Sequence, residues 1–315
     1  MSGDLPQGRV GRRTELAEGV LGLTLEPVAG VLPRWTPGAH IDLVLPSGVV
    51  RQYSLCGPLT SDHYEIAVLR EPAGRGGSEE VHRALRPGIE LKIQGPRNRF
   101  PLERCADYLF IAGGIGITPL LPMIEAVDGL GLSWRLVYGG RSRRTMAFLD
   151  VLDLYDDVAV LPQDEYGLLD IAGELAGRPG ATVYTCGPGP LIDAVQAAVA
   201  ATAAGPLHFE RFVSVPAELD VGHAPAAAFE VQIGVDGPLV PVAEDQSVLD
   251  AVLGHGVDVL FSCEEGTCGS CQTTVLDGEV DHRDGLLTDD ERTAGQMLIC
   301  VSRCLSKRLV LDVAV

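Results

Sequence analysis

Three cysteines fall within one short stretch, "FSCEEGTCGSC" at residues 261–271. Cys263, Cys268 and Cys271 have the spacing C-x4-C-x2-C, and Cys300 lies 29 positions beyond Cys271. The first 20 residues have no apolar core of signal-peptide length, so we expect a cytoplasmic protein. In that reducing compartment, eight cysteines favour metal ligation or redox chemistry over a disulfide framework.

The spacing is typical of a plant-type 2Fe-2S cluster site. Thiolates are soft anionic ligands suited to iron, and Gly266 and Gly269 let the backbone curl so that amide N–H groups point at the sulfurs. A four-cysteine zinc site is the alternative, but structural zinc favours paired C-x2-C knuckles, which the downstream half lacks. Cys304 is a second candidate for the fourth ligand; Cys300 is preferred for its apolar neighbours and its spacing. The predicted ligands are therefore Cys263, Cys268, Cys271 and Cys300.

Charge and hydropathy exclude two classes of partner. A formal net charge of −19 argues against nucleic-acid binding, because a phosphate backbone would be repelled. The longest charge-free stretch, near residues 108–124, is interrupted by "GGIG" and "TP" and is too short to span a membrane. From Ala226 onward there are 16 acidic and 5 basic side chains. This excess is either a solvated surface or a docking surface for a basic partner.

The pattern of the chain predicts a multidomain protein. Residues 1–104 alternate apolar and polar positions between Pro and Gly turns, which predicts antiparallel sheet, closed or stacked. Residues 105–213 alternate buried-type strands with helices, which predicts a parallel α/β sheet. Residues 214–228 have a linker composition, and residues 229–315 hold strands and one helix around the cysteines.

Two glycine-rich turns follow strands of the predicted parallel sheet. "DYLFIAGG" runs into "GIGITPLLPM", and "YTCGPGPLIDAV" repeats the arrangement of strand, turn and helix. Either turn alone is weak evidence for a nucleotide, because such turns more often reflect ordinary tight packing. Two turns at the carboxyl ends of parallel strands would face one crevice, where a nicotinamide dinucleotide fits.

The stretch "RQYSLCG", residues 51–57, resembles the flavin-binding motif of the ferredoxin-NADP reductase superfamily. Together with "GGIGITPL", "CGP" and the carboxy-terminal cysteines, it makes nearly the whole chain resemble the phthalate dioxygenase reductase family, which includes vanillate O-demethylase reductases. Further matches are "GGS" at 76–78, "GPRNRFPL" at 95–102, "YGGRSRRTMAF" at 138–148, "HFERF" at 208–212 and "DHRDGLLTDDER" at 281–292. The resemblance implies an antiparallel β-barrel flavin domain, a nucleotide domain and a β-grasp ferredoxin domain. It also implies FMN rather than FAD, and NADH rather than NADPH.

The resemblance assigns roles around the flavin. Arg51 would pair with the flavin phosphate, Tyr53 would pack on the isoalloxazine, and Ser54, followed by Leu55, would hydrogen-bond near N5, where hydride arrives. The turn before "EEVHRAL" would offer amide groups at a helix start; it comprises Gly76, Gly77 and Ser78. Without the resemblance, Tyr53 reads as a core strand residue and Arg51 as a surface cation.

The family resemblance also assigns roles around the nicotinamide. Cys186 would sit beside the carbon that transfers hydride, and Phe212 would cover the flavin until the nicotinamide displaces it. The alternatives are a buried small apolar residue for Cys186 and interdomain packing for Phe212. Arg141 and Ser142 of "GRSRR" would lie near the adenosine end. The remaining predicted cleft residues are Gly113, Gly114, Gly116, Thr118, Pro119, Gly187 and Pro188; the predicted catalytic residues are Ser54, Cys186 and Phe212.

The expected function is transfer of electrons from NADH through FMN and a 2Fe-2S cluster to a terminal oxygenase. By the resemblance, that partner would be a Rieske non-haem iron oxygenase or O-demethylase acting on an aromatic compound. A haem monooxygenase is the alternative within the class. A redox-sensing protein without turnover is the alternative from another class, and steady NADH-dependent dye reduction would separate the two.

Overall fold

The computed structural model describes residues 7–72, 74, 76–202, 204–212, 227–261, 264, 266 and 269–313. The chain divides into two compact units, Met1–Phe212 and Val213–Val315. The boundary expected at residue 104 falls between two strands that end at Asn98 and begin at Asp107. The expected linker, 214–228, lies almost entirely outside the described residues. No helix in the described ranges combines the length and apolar character needed to cross a bilayer.

The first sheet of unit 1 is antiparallel and has the strand order β4-β3-β6-β1-β2-β5. The bridge between Leu55 and Ile66 brings its two edge strands together. Alternate residues of β3, Ala39, Ile41 and Leu43, pack into the apolar interior, as the period of two requires. The elements are β1 Gln7–Ala17, β2 Val20–Pro27, β3 Ala39–Val44, β4 Val50–Ser54, β5 Tyr64–Leu69, α1 Gly77–Ala84 and β6 Glu90–Asn98.

The second sheet of unit 1 is parallel and has the order β11-β10-β7-β8-β9. Its strands are β7 Asp107–Gly113, β8 Ser133–Gly140, β9 Val158–Pro162, β10 Thr182–Cys186 and β11 Leu207–Glu210. Its helices are η1 Gly114–Ile117 and η2 Arg143–Thr145, both 3₁₀, with α2 Leu121–Gly129, α3 Leu149–Leu152, α4 Gln163–Tyr166, α5 Ile171–Gly177 and α6 Gly189–Ala200. The chain builds outward from β7 through β8 to β9 and then returns to the other side of β7 with β10. This reversal creates a topological switch point between β7 and β10, the usual ligand crevice of such sheets.

The main sheet of unit 2 is mixed, in the order β13-β12-β18-β14-β16, and β15 and β17 form a separate two-stranded sheet. Strands β12 and β18 are parallel, and the other neighbouring pairs are antiparallel. Ser247 caps α7 by accepting a hydrogen bond from the Asp250 amide at 3.0 Å, and the apolar face of α7 joins the core of the sheet. The elements are β12 Phe229–Ile233, β13 Leu239–Val242, α7 Val248–Gly254, β14 Gln272–Asp277, β15 Val280–Asp281, α8 Asp289–Thr293, β16 Gln296–Leu298, β17 Arg303–Cys304 and β18 Arg308–Leu311.

The predicted fold class is confirmed: the chain combines an antiparallel barrel-type sheet, a parallel α/β sheet and a β-grasp-like unit. The domain boundaries remain predictions.

Candidate functional site

Arg51 and the start of α1 form the first part of the site. A β-carbon on Gly77 would come within 2.7 Å of Arg51 Cγ, so the arginine stem lies directly against the glycine backbone. Gly76 precedes the helix in the left-handed conformation, with φ of 82°. Since the amides at a helix start carry partial positive charge, Arg51 and this turn make an anion-binding corner.

Two acidic side chains in the first turn of α1 have partners of their own and do not neutralise the positive charge of this corner. Glu79 pairs with Arg70 at 2.7 Å. Glu80 accepts hydrogen bonds from the amide of Ser47 at 2.8 Å and from its hydroxyl at 2.5 Å. Ser78 uses its hydroxyl oxygen to accept the Glu71 amide at 3.0 Å, which fixes the turn.

The predicted flavin-contact residues occupy the end of β4. Tyr53 is half-buried against the barrel interior, and burial raises the pKa of its phenol. Ser54 is 7% exposed. Leu55 is fully buried and donates its amide to the Ala39 carbonyl at 2.9 Å, so its side chain belongs to the barrel core. The structure brings Tyr53 and Ser54 to the edge that Arg51 also borders, since all three lie on one strand.

Sequence reasoning missed His40, which lies opposite Ser54 in the register of β3 and β4. The Leu55 amide donates to the Ala39 carbonyl, so the next pair along the ladder, His40 and Ser54, is of the non-hydrogen-bonded kind, in which side chains approach most closely. His40 is 3% exposed, and neither ring nitrogen has a hydrogen-bond partner within the described part of the chain. Burial, with Arg97 and Arg99 nearby, lowers the pKa of the imidazole to about 3, so it is neutral at pH 7.

A buried polar side chain without a partner is costly. His40 on β3 faces Ser54 on β4, the strand that also carries Arg51, and its orphaned imidazole fits a site for a polar, phosphate-bearing ligand such as a flavin.

The two glycine turns touch each other at the switch point. A β-carbon on Gly116 would come within 2.6 Å of the Gly187 nitrogen, and one on Gly113 within 2.7 Å of Pro188 Cδ. Only glycine permits this approach between the carboxyl ends of β7 and β10. Gly114 is half-buried at the start of η1, while Thr118 and Pro119 are buried behind it, with the Thr118 hydroxyl donating to the Ile115 carbonyl at 2.9 Å.

Cys186 ends β10 beside these turns and is fully buried. Its register partner on β11 is Glu210, whose Oε2 is buried with no hydrogen-bond partner among the described residues. Burial raises the pKa of Glu210 to about 8, and burial together with Glu210 raises the pKa of the Cys186 thiol. Both groups therefore carry a proton at neutral pH. Glu210 was not among the site residues predicted from the sequence, although it is the glutamate of the family match "HFERF" at 208–212.

Phe212 and the arginine segment lie at the exposed rim of unit 1. The Phe212 ring is 38% exposed. Arg143 pairs with Glu165 at 3.1 Å and Arg144 with Glu18 at 2.6 Å. Arg141 is exposed, and Ser142 caps η2 through a reciprocal pair with Thr145.

In unit 2 the chain segments that carry two of the predicted ligands, Cys271 and Cys300, are adjacent. The pairing of β14 with β16 carries Cys271 alongside Ile299, whose amide donates to the Cys271 carbonyl at 3.4 Å. Cys271 is 3% exposed and Cys300 is 8% exposed. By contrast, the Cys304 thiol donates to the Ser306 carbonyl at 3.0 Å within its own turn.

Cys263 and Cys268 lie outside the described residues, and among the residues that are described no three metal-ligating side chains gather. Cys271 and Cys300 are both buried and lie on adjacent segments, and their thiols are donors that fit an iron–sulfur cluster.

Comparison with known proteins assigns the family. Residues 234–305 match the 2Fe-2S iron-sulfur cluster binding domain. Over 295 residues the chain is 41% identical to the vanillate O-demethylase oxidoreductase of Pseudomonas sp. (strain HR199 / DSM 7063), covering 90% of this chain and 92% of that one.

Two solved structures extend the similarity to the fold. Phthalate dioxygenase reductase, described as a modular structure for electron transfer from pyridine nucleotides to [2Fe-2S], matches with a TM-score of 0.71 and 34% identity over 97% of both chains. An intact type IV self-sufficient cytochrome P450 monooxygenase matches with a TM-score of 0.87 and 41% identity over 98% of this chain, which spans only 41% of that longer one. The chain belongs to the phthalate dioxygenase reductase family of oxidoreductases, which the motifs of its sequence had predicted.

Proposed function

We propose that this protein is the NADH-dependent reductase of an oxygenase system, passing electrons through FMN and a 2Fe-2S cluster to a separate terminal oxygenase. One observation carries the proposal: three features occur together in one chain. They are the anion-binding corner at Arg51, the topological switch point at Gly113 and Gly187, and the cluster-binding domain at 234–305. A flavin supplies the ability to accept hydride as two electrons and to release electrons singly. The protein would bind and position the flavin, the nicotinamide and the cluster.

The barrel edge would hold the flavin. Arg51 and the amides before α1 would bind its phosphate, and one arginine with one helix start suits the single phosphate of FMN. Tyr53 would pack on the ring system, and Ser54 would hydrogen-bond near N5. His40, neutral beside Ser54, would supply a second polar contact and so relieve its own lack of a partner.

The switch point would hold the nicotinamide. The close glycine turns leave the backbone accessible, and Cys186 with Glu210 would place a protonated thiol and a protonated carboxyl beside the reacting ring. The exposed Phe212 ring would cover the flavin in the resting protein, as the family resemblance implies.

The choice of NADH over NADPH follows the family resemblance, and the pairing of two of the three arginines in the "GRSRR" segment is compatible with it. Arg143 and Arg144 each have a glutamate partner, so their charges are already compensated. A 2'-phosphate needs cationic side chains that are not already paired, and of these three exposed arginines only Arg141 has no acid partner in the described ranges. Arg141 and Ser142 would then contact the adenosine end.

The cluster would be held by Cys263, Cys268, Cys271 and Cys300. The short contact of the Cys304 thiol with Ser306 supports Cys300 as the fourth ligand. The acidic excess from residue 226 onward would face a basic surface on the oxygenase.

Two kinds of oxygenase fit this role. The relatives named as O-demethylase and dioxygenase reductases favour a Rieske non-haem iron oxygenase acting on an aromatic compound. A haem monooxygenase is the second candidate, because the solved cytochrome P450 monooxygenase contains a region similar to this whole chain.

One preparation tests the proposal. The purified protein should be yellow-brown, release FMN on denaturation, contain two irons and two acid-labile sulfides per chain, and reduce a dye steadily with NADH. Release of FAD would correct the flavin assignment, and a protein that takes up electrons once without steady turnover would support a redox sensor instead.

A further inference from the structure

The segment "DHRDGLLTDDER" at 281–292 matches the family, yet the electron-transfer scheme assigns it no part. Within it, the Asp284 side chain is 0% exposed. A buried carboxylate is stable only when its oxygens are hydrogen-bonded and its charge is balanced. Its contacts therefore indicate what it holds together.

One oxygen of Asp284 serves its own turn. Oδ2 accepts the amide of Leu286 at 3.2 Å and that of Leu287 at 2.8 Å. Arg292 Nη2 lies 3.5 Å from the same oxygen and balances the charge. The turn from Asp284 to Leu287 is thereby fixed around the carboxylate.

The other oxygen reaches the segment that carries Cys300. Oδ1 accepts the hydroxyl of Ser302 at 3.3 Å. Ser302 is 1% exposed, follows Cys300 by two residues, and also accepts the Arg283 amide at 3.2 Å. The carboxylate is thus tied directly to the chain next to the fourth predicted ligand.

The backbone of Asp284 touches the loop that carries the other cysteines. Gly266, between Cys263 and Cys268 in sequence, has φ of 71°. A β-carbon there would come within 3.3 Å of Asp284 Cα and 2.7 Å of Val301 Cγ2. Asp284 therefore contacts both parts of the chain that supply predicted ligands, from a position 16 residues before Cys300.

We propose that Asp284 is a positioning residue for the iron–sulfur cluster, holding the Gly266 loop and the Cys300 segment at a fixed separation. The inference rests on the proposed function, because it presupposes the cluster. Outer contacts of this kind orient metal ligands and tune the metal centre. The buried negative charge also opposes addition of an electron nearby, so its removal should make the cluster easier to reduce.

The test uses the full-length protein with three variants. Asp284→Ala removes every side-chain contact. Asp284→Asn keeps an oxygen for Leu286 and Leu287 and places an amide toward the Ser302 hydroxyl, but loses the charge. Asp277→Asn, an exposed position in the same unit, makes the same charge change without these contacts. The readouts are iron and sulfide per chain, the rate of bleaching by a chelator, the midpoint potential and the electron paramagnetic resonance spectrum of the reduced cluster.

We expect Asp284→Ala to lose its cluster several-fold faster than wild type. Asp284→Asn should keep its cluster but show a more positive midpoint potential, and Asp277→Asn should match wild type in both. Wild-type bleaching rate, potential and spectrum in Asp284→Ala would overturn the inference while leaving the proposed function intact. A wild-type protein without any cluster would instead overturn the proposed function.

If Asp284→Ala does not fold, Ser302→Ala provides the same test in milder form. It removes only the hydroxyl that joins Oδ1 to the Cys300 segment, so it should also bleach faster than wild type. A Ser302→Ala protein with wild-type bleaching and spectrum would overturn the proposed role of the carboxylate.

Discussion

The side chain of Arg51 lies against the backbone of Gly77, close enough that a β-carbon on Gly77 would come within 2.7 Å of Arg51 Cγ. The two residues are 26 positions apart and belong to a strand and a helix. Their contact turns a cation and a helix start, each unremarkable alone, into one anion-binding corner.

Gly77→Ala should weaken flavin binding, because the new methyl group would push the arginine out of the corner. Charge-assisted hydrogen bonds contribute about 1.5–3 kcal/mol, so we expect about a 10- to 100-fold rise in the flavin Kd. Flavin fluorescence on titration of the flavin-depleted protein measures this. Gly129→Ala is the matched control, since a β-carbon there meets nothing within 4 Å. Equal affinity in Gly77→Ala and wild type would argue against a phosphate at this corner.

Gly116→Ala should slow hydride transfer while leaving the flavin bound. The added carbon would come within 2.6 Å of the Gly187 nitrogen and force the two glycine turns apart. Because a displacement of about 1 Å can cost about 10²-fold in rate, we expect a loss of that order. Anaerobic stopped-flow bleaching of the flavin by NADH measures it, with Gly177→Ala, another site with open space, as control. A wild-type bleaching rate would place the nicotinamide elsewhere.

Glu210→Gln should change how stability depends on pH. Burial raises the pKa of Glu210 from 4.5 to about 8 in the folded protein. Below pH 4.5 both the folded and unfolded chains hold the proton, so the shift has no effect. Between pH 4.5 and 8 the unfolded chain releases the proton while the folded chain keeps it, and stability falls as pH rises.

Glutamine does not titrate, so the free energy of unfolding of Glu210→Gln relative to wild type should rise with pH across this range, by up to roughly 4 kcal/mol at its upper end. Denaturant unfolding at pH 5, 6, 7 and 8 measures the difference, and Glu125→Gln, an exposed position on α2, controls for loss of a carboxylate. A stability difference between Glu210→Gln and wild type that stays constant with pH would mean that Glu210 ionises normally in the folded protein.

Glu165→Gln should raise the relative use of NADPH, because it releases Arg143 to meet a 2'-phosphate. Exposed ion pairs contribute about 0.2–1 kcal/mol, so we expect up to about a fivefold rise in the ratio of kcat/KM for NADPH over NADH. Glu90→Gln, which frees Arg9 from a pair of similar exposure, is the control. An unchanged ratio would mean that Arg143 does not face the nucleotide.

Much of the architecture follows from local pattern. Alternation in "HIDLVL" and the glycine turns after "DYLFIAGG" and "YTCG" indicate which strands are antiparallel, which are parallel and where the crevice lies. The cysteine spacing likewise indicates the cluster-binding unit, because its loop is local in sequence.

Contacts between distant segments could not be predicted in this way. In the alternating pattern of β3, His40 falls on a polar position, which predicts an ordinary outward-facing side chain. Only the pairing of β3 with β4 shows that it is buried beside Ser54. Leu55 falls within the flavin motif, but closure of the barrel sends its side chain into the core. Asp284 gains its role from contacts with Gly266 and Ser302, each 18 residues away, which no spacing rule in the sequence connects.

The most direct measurement of the proposed electron path compares Cys300→Ala with Cys304→Ala under anaerobic conditions. Each protein is assayed with NADH, using ferricyanide to report electrons leaving the flavin and cytochrome c to report electrons leaving the cluster. We expect Cys300→Ala to keep ferricyanide reduction and to lose cytochrome c reduction, while Cys304→Ala should keep both. Wild-type cytochrome c reduction by Cys300→Ala, or loss of both activities together, would contradict a path that runs from flavin to cluster to partner.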